Sequence, residues 1–231
     1  MTYREILRAL KSHSNPENIA GMARFGITAK KAYGVPAPAL HKLARQIGKD
    51  HDLAQRLWGT GIHDARGLAA LIDDPQQVTE EQMESWVADF DNWATCDGTC
   101  LHLFDRTPFA HAKAVEWTAR EEEFVKRAGF ALMAVLAVHG KKEPDAAFQR
   151  FLPIIERESD DDRHYVKKAV NWALREIGKR NRALNSKAIA AAERIRTRDT
   201  RAARWIAADA LRELRSEAVH KRLGAKAQRK R

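Results

Sequence analysis

The chain has no run near the ~20 consecutive apolar residues that a membrane span needs, and its first residues, Met1-Thr2-Tyr3-Arg4-Glu5, lack the apolar stretch of a secretory signal. Both absences point to a cytoplasmic protein. Cysteine is nearly missing as well, since Cys96 and Cys100 are the only two in 231 residues. An intracellular chain of this length has no need of a disulfide framework, so both are expected as free thiols in a core. A metal reading would recruit His102, but three ligands on one short helix do not converge easily, and no Cys-x-x-Cys or His-x-x-x-His partner occurs elsewhere. Neither a P-loop nor a Gly-x-Gly-x-x-Gly is present, which leaves ATP and dinucleotides without their phosphate-binding signature. No metal and no organic cofactor is expected.

A convincing period of two is also absent, whereas apolar residues recur at three- and four-residue spacing in nearly every segment. The chain therefore reads as all-α. Helices are predicted near Thr2 to Lys11, Pro16 to Lys31, Pro36 to Gly48, Leu53 to Trp58, Ile62 to Ile72, Glu80 to Phe90, Trp93 to Phe104, Ala110 to Ala119, Glu122 to Val138, Pro144 to Arg157, Asp162 to Lys179, Ser186 to Ile195 and Thr200 to Leu214. Start signals support several: Asn15 before Pro16, Thr79 with Gln82 three residues on, and Glu143 before Pro144.

An internal echo suggests how the helices are organised. Val125-Lys126-Arg127-Ala128 returns as Val166-Lys167-Lys168-Ala169, and Ala173-Leu174-Arg175-Glu176 returns as Ala210-Leu211-Arg212-Glu213, offsets of 41 and 37. Helix pairs repeating every ~40 residues are the mark of HEAT-type solenoids. The expected architecture is a HEAT-like α-solenoid of stacked antiparallel helix pairs with one concave groove, and an irregular helical bundle is the alternative. With 44% apolar and 31% charged residues, residues 1–220 suit a single domain. A monomer is expected.

The net charge of +10 is unevenly placed. From Arg194 to Arg231 there are 13 basic and 4 acidic residues, which leaves 28 basic against 27 acidic for the rest. Residues 221–231, with Lys221-Arg222 and Gln228-Arg229-Lys230-Arg231, read as a flexible basic tail. It either adds sequence-independent affinity for phosphate backbones or merely solubilises the chain.

Three places invite chemistry. In Asn92-Trp93-Ala94-Thr95-Cys96-Asp97-Gly98-Thr99-Cys100, helical phasing puts Trp93, Asp97, Cys100 and Phe104 on one stripe. An ionised carboxylate among aromatic and apolar groups costs several kcal/mol without a partner, so Asp97 either caps a helix or faces a pocket that uses its charge. In the helix from Asp162 to Lys179, Lys168, Trp172, Arg175 and Lys179 form a stripe opposite the apolar arc. That stripe either meets sugar-phosphate and bases or tucks its indole under a neighbouring repeat. Arg127 opens a long apolar helix, where its head group snorkels, binds an anion or pairs with Glu122 or Glu123. Trp58, Trp86, Trp117 and Trp205 read as core packing.

At these residues the chain resembles the DNA alkylation repair family of HEAT-like glycosylases, the AlkD-like proteins. The matching segments are Tyr33-Gly34-Val35-Pro36 leading into Leu40-His41-Lys42-Leu43-Ala44, then Asn92 to Asp97, Phe124-Val125-Lys126-Arg127, and Lys168 to Glu176. The resemblance implies that the concave groove holds double-stranded DNA and that cationic N3- or N7-alkylated purines are excised by hydrolysis of the N-glycosidic bond. It makes Asp97 the catalytic carboxylate, with Trp93 and Trp172 as aromatic contacts to the lesion's deoxyribose and backbone. Arg127 becomes a backbone-binding cation, beside Lys168, Arg175 and Lys179. A cationic purine already leaves well, so positive charge on the sugar is what a nearby carboxylate and indole faces would stabilise. The chain departs from many members at Ala94, where an acidic residue commonly follows the Trp. A non-catalytic nucleic-acid- or protein-binding module is the alternative.

Overall fold

Apolar spacing becomes helix almost wherever it occurs. The computed structural model describes residues 1–228, with side chains through Ala225, and among the described residues there is no strand. Two compact units emerge, Met1–Ala110 and His111–Arg231, where the sequence reads as one domain over residues 1–220.

The first unit holds α1 (Tyr3–Ser12), α2 (Pro16–Arg24), α3 (Ala37–Ile47), α4 (His51–Trp58), α5 (His63–Ile72), α6 (Glu80–Ala88) and α7 (Trp93–His102). Its centre is α5, which packs on α3, α4 and α7. Beside it the Trp58 and Trp86 indoles stack with centroids 3.9 Å apart, and Phe90 and Phe104 close around them. The predicted caps work: Asn15 accepts from the Asn18 amide, and Thr79 from the Gln82 amide. The Gln82 side chain does not complete a capping box, because it donates instead to the buried Asp73 carboxylate at 2.6 Å.

One boundary differs here. The helix predicted to Lys31 stops at Arg24, because Gly26 takes a left-handed conformation (φ 76°). The Ile27 amide then reaches back to the Met22 carbonyl, and the Gly26 amide to Ala23. This is a Schellman ending, which satisfies the orphan carbonyls of α2 and needs the glycine.

The second unit follows from α8 (Ala110–Glu116), which begins at the boundary, through α9 (Glu123–His139), α10 (Asp145–Gln149), α11 (Leu152–Arg157), α12 (His164–Gly178), α13 (Arg182–Arg196), α14 (Arg201–Leu214) and α15 (Glu217–Gln228). The helix predicted over Pro144 to Arg157 is two: Pro153 lacks an amide hydrogen, and its ring would meet the Gln149 carbonyl, so α10 ends there. Helix α9 is buried all round from Arg127 to Ala137, as its unbroken apolar run requires. Residues 221–228 belong to α15, where the sequence suggests a tail from Lys221, because Val219 and Leu223 are buried against the rest of the unit. Arg229, Lys230 and Arg231 lie outside the described residues.

The echo in sequence becomes a register in space. Bonds between side chains, or from side chain to backbone, join Arg127 to Tyr165, Lys187 to Gln149, Arg194 to Glu156, Arg198 to Asp160, Asn171 to Asp209 and Arg175 to Glu213, every pair 38 residues apart. These bonds tie one helix pair to the next at about the repeat length that the offsets of 41 and 37 give in the sequence.

Candidate functional site

Helix α7 settles what Asp97 is not. Asn92 caps that helix, its Oδ1 accepting from the Ala94 and Thr95 amides at 3.0 Å each, so Asp97 stands on the second turn rather than at a cap. Its stripe runs from surface to core: Trp93 and Asp97 are half-buried, one turn apart, whereas Cys100 and Phe104 are fully buried. Cys96 and Cys100 are both buried free cysteines.

The environment of α7 is held by neighbours that sequence reasoning passed over. Trp93 Nε1 donates to the Phe25 carbonyl at 2.9 Å, which ties the indole to the end of α2. His63 Nδ1 lies 3.1 Å from Thr95 Oγ1, and burial pushes the His63 imidazole below its usual value, favouring the neutral ring. Asp64, 2% exposed, accepts from the Tyr33 amide at 2.6 Å and the Val35 amide at 2.7 Å. The segment Tyr33-Gly34-Val35-Pro36 is thus clamped. At Gly34 (φ 71°) a Cβ would stand 2.5 Å from the Asn15 carbonyl oxygen, so only glycine fits. His41 on α3 and His102 on α7 meet edge to face with centroids 5.6 Å apart.

In the second unit Arg127 is 6% exposed, and its Nη1 donates to the Tyr165 carbonyl at 2.6 Å, in the first turn of α12. Glu122 binds Arg120 at 2.6 Å, and Glu123 accepts from the Tyr165 amide at 3.4 Å. Arg127 therefore fastens α9 to α12, and little of it is open to a phosphate.

The predicted α12 stripe divides. Lys168 is exposed and Trp172 half-buried, so both reach the surface. Arg175 and Lys179 turn to α14: Arg175 binds Glu213 and lies 3.7 Å from Asp209, and Lys179 binds Glu213 and Glu176 at 2.7 Å each. Burial alone would raise the Glu213 carboxyl, but hydrogen bonds from Lys179 and Arg175 hold it below its usual value. The charge of these two cations is thereby largely spent inside the unit. His164, at the start of α12, is pushed below its usual value by desolvation and then by the charges of Lys168, Lys167 and Arg127.

Trp58, Trp86 and Trp117 are core residues as predicted, but Trp205 is 39% exposed on α14. Its spacing fits a helix face, and only the packing of α14 decides that this face is open. The named residues fall in two groups, Trp93 and Asp97 in the first unit and Arg127, Lys168, Trp172, Arg175 and Lys179 in the second.

Comparison with known proteins gives this arrangement relatives. The family model described as DNA alkylation repair enzyme matches residues 6–214. An uncharacterised protein of Listeria innocua is 25% identical over 199 residues, covering 84% of this chain and 87% of its own. A second, from Listeria monocytogenes, is 22% identical, covering 71% and 75%. Among solved structures, a protein from a family related to the HEAT-like repeat DNA glycosylases with affinity for branched DNA structures superposes with a TM-score of 0.79 at 20% identity, over 97% of both chains. The fold is that of the HEAT-like helical repeats.

Proposed function

Because the chain belongs to the DNA alkylation repair enzyme family, we propose that it is a DNA glycosylase that hydrolyses the N-glycosidic bond of cationic N3- or N7-alkylated purines in duplex DNA. The observation that carries this reading is the position of Asp97: Asn92 performs the capping, and the carboxylate stays half-buried one turn from the Trp93 indole. Such a carboxylate suits the positive charge that develops on the sugar as the base departs, and can orient the attacking water. The indole face at Trp93 adds a cation-π attraction of about 0.5 to 2 kcal/mol, and Trp172, in the second unit, would contact the DNA backbone. Lys168 would neutralise backbone phosphate. Glycosylase chemistry of this kind needs no metal or organic cofactor, and hydrolysis with water as the nucleophile leaves an abasic site without strand cleavage.

The test is release of 3-methyladenine and 7-methylguanine from methylated duplex DNA, followed by chromatography with spontaneous depurination subtracted. Wild type should release them while Asp97→Asn binds DNA and releases little. Equal release by the mutant would reject the catalytic assignment.

A second reading is favoured by one observation: the structural neighbour comes from a family with affinity for branched DNA structures. On this reading the chain binds DNA without chemistry, and wild-type protein would bind but release no base.

A further inference from the structure

Phe25 is the most exposed large apolar side chain among the described residues, at 76%. Nothing in the packing of the first unit uses its ring, yet its backbone is firmly built. It is the C-cap of α2, inside the Schellman ending fixed by Gly26, and its carbonyl accepts the Trp93 indole N–H at 2.9 Å. The far side of the loop is fixed as well: the Lys31 carbonyl accepts from the His63 amide at 2.8 Å, and the Tyr33 amide binds Asp64. The ring is therefore held out into solvent on a fixed support. Along the same segment, Arg24, Lys30 and Lys31 are exposed and hold no ion pair among the described residues.

We infer that Phe25 is a wedge that packs against the base stack at the damaged step of duplex DNA, while Arg24, Lys30 and Lys31 bind the flanking phosphates. Apolar wedges partly unstack a base step, and the opening costs least where a base is damaged or missing. The hydrogen bond from Trp93 would set the distance between this wedge and the turn that carries Asp97. The inference rests on the duplex-DNA reading above, and extends it to how a weakened step is found.

The test uses two otherwise identical duplexes, one intact and one carrying a tetrahydrofuran abasic analogue beside 2-aminopurine, whose fluorescence rises on unstacking. Wild type should bind the tetrahydrofuran duplex more tightly and raise its fluorescence. Phe25→Ala should bind it about tenfold more weakly, within the range of a lost base–aromatic contact, and lose most of the fluorescence rise while its salt dependence stays that of wild type. Phe25→Leu should restore part of the rise. Lys30→Ala with Lys31→Ala should flatten the salt dependence and keep the rise. Circular dichroism melts confirm folding, which an exposed side chain should not disturb. If Phe25→Ala binds and unstacks as wild type does, the wedge is overturned and the glycosylase reading stands. If wild type binds neither duplex, the DNA reading fails and takes the wedge with it.

Discussion

Replacing Asp64 by Asn keeps volume and removes one charge, and the geometry sets the expected loss. The wild-type carboxylate is nearly inaccessible and takes two backbone amides, Tyr33 at 2.6 Å and Val35 at 2.7 Å. Hydrogen bonds to a charged acceptor are each worth about 1.5 to 3 kcal/mol, and a buried donor left unmet costs its desolvation. An amide can serve one of the two N–H groups at neutral strength and must turn its own NH2 towards the other. The net loss should be about 3 kcal/mol. At roughly 4 °C per kcal/mol for a unit of this size, the first unit should melt about 10 °C lower. Near-ultraviolet circular dichroism is the suitable probe, because the stacked Trp58 and Trp86 pair lies in that unit and its signal reports on it. A shift below about 2 °C would refute the account, since it would mean that the two short bonds add nothing over solvation.

Gly34→Ala attacks the same segment from the other side, and the meeting of its Cβ with the Asn15 carbonyl oxygen at positive φ should cost about 1 to 3 kcal/mol, read in the same melt. Because burial lowers the His63 imidazole, the unfolded chain takes a proton near pH 6.5 before the folded one does. Stability should therefore be full above pH 6.5 and fall as the pH drops from there towards the folded value, and nuclear magnetic resonance placing His63 at or above 6.5 would contradict this. Glu213→Gln should remove the charge that Arg175 and Lys179 share, leaving Asp209 near the first and Glu176 on the second, and so tighten DNA binding at low salt and steepen the salt dependence; an unchanged slope would show that these cations do not meet phosphate. Deleting residues 226–231, while keeping the buried Leu223, should weaken binding at low salt and flatten that slope, and an unchanged slope would exclude the tail from DNA contact.

The sequence carries the helices because spacing and caps are local: Asn15, Thr79 and the apolar arc of α12 act within a few residues of themselves. The end of α2 is legible too, in Gly26, whose Schellman spacing competes with the apolar residues beyond it. What stayed hidden depends on distant chain. Asp64 reads as an ordinary residue at a helix start until Tyr33 and Val35 arrive 31 and 29 residues away. Arg175 and Lys179 look like free cations on a polar face, since their partner Glu213 lies a whole repeat further on. Phe25 and Trp205 have core-like identities, and only the packing of the neighbouring helices leaves them in water.

The 38-residue register separates structural charge from the rest. Cations whose counterpart one step away is acidic, such as Arg175 with Glu213, Arg194 with Glu156 and Arg198 with Asp160, bind one repeat to the next and are accounted for by that task. Lys168 and Trp172 stand outside these pairs. By the 37-residue echo that aligns Ala173 with Ala210, their places in α14 are taken by Trp205, 39% exposed, and Asp209, half-buried, so the repeat leaves this face open. A charged and a large aromatic side chain at such positions, both reaching the surface, are therefore not explained by stacking. In a repeat protein the interlocking residues recur because every interface needs them, and side chains outside that task are the ones left for a ligand. By that criterion Lys168 and Trp172 are stronger candidates for contact with DNA than Arg175 and Lys179. Trp172→Ala should accordingly reduce DNA affinity more than it reduces the melting temperature, and the reverse order would return the indole to the packing between repeats.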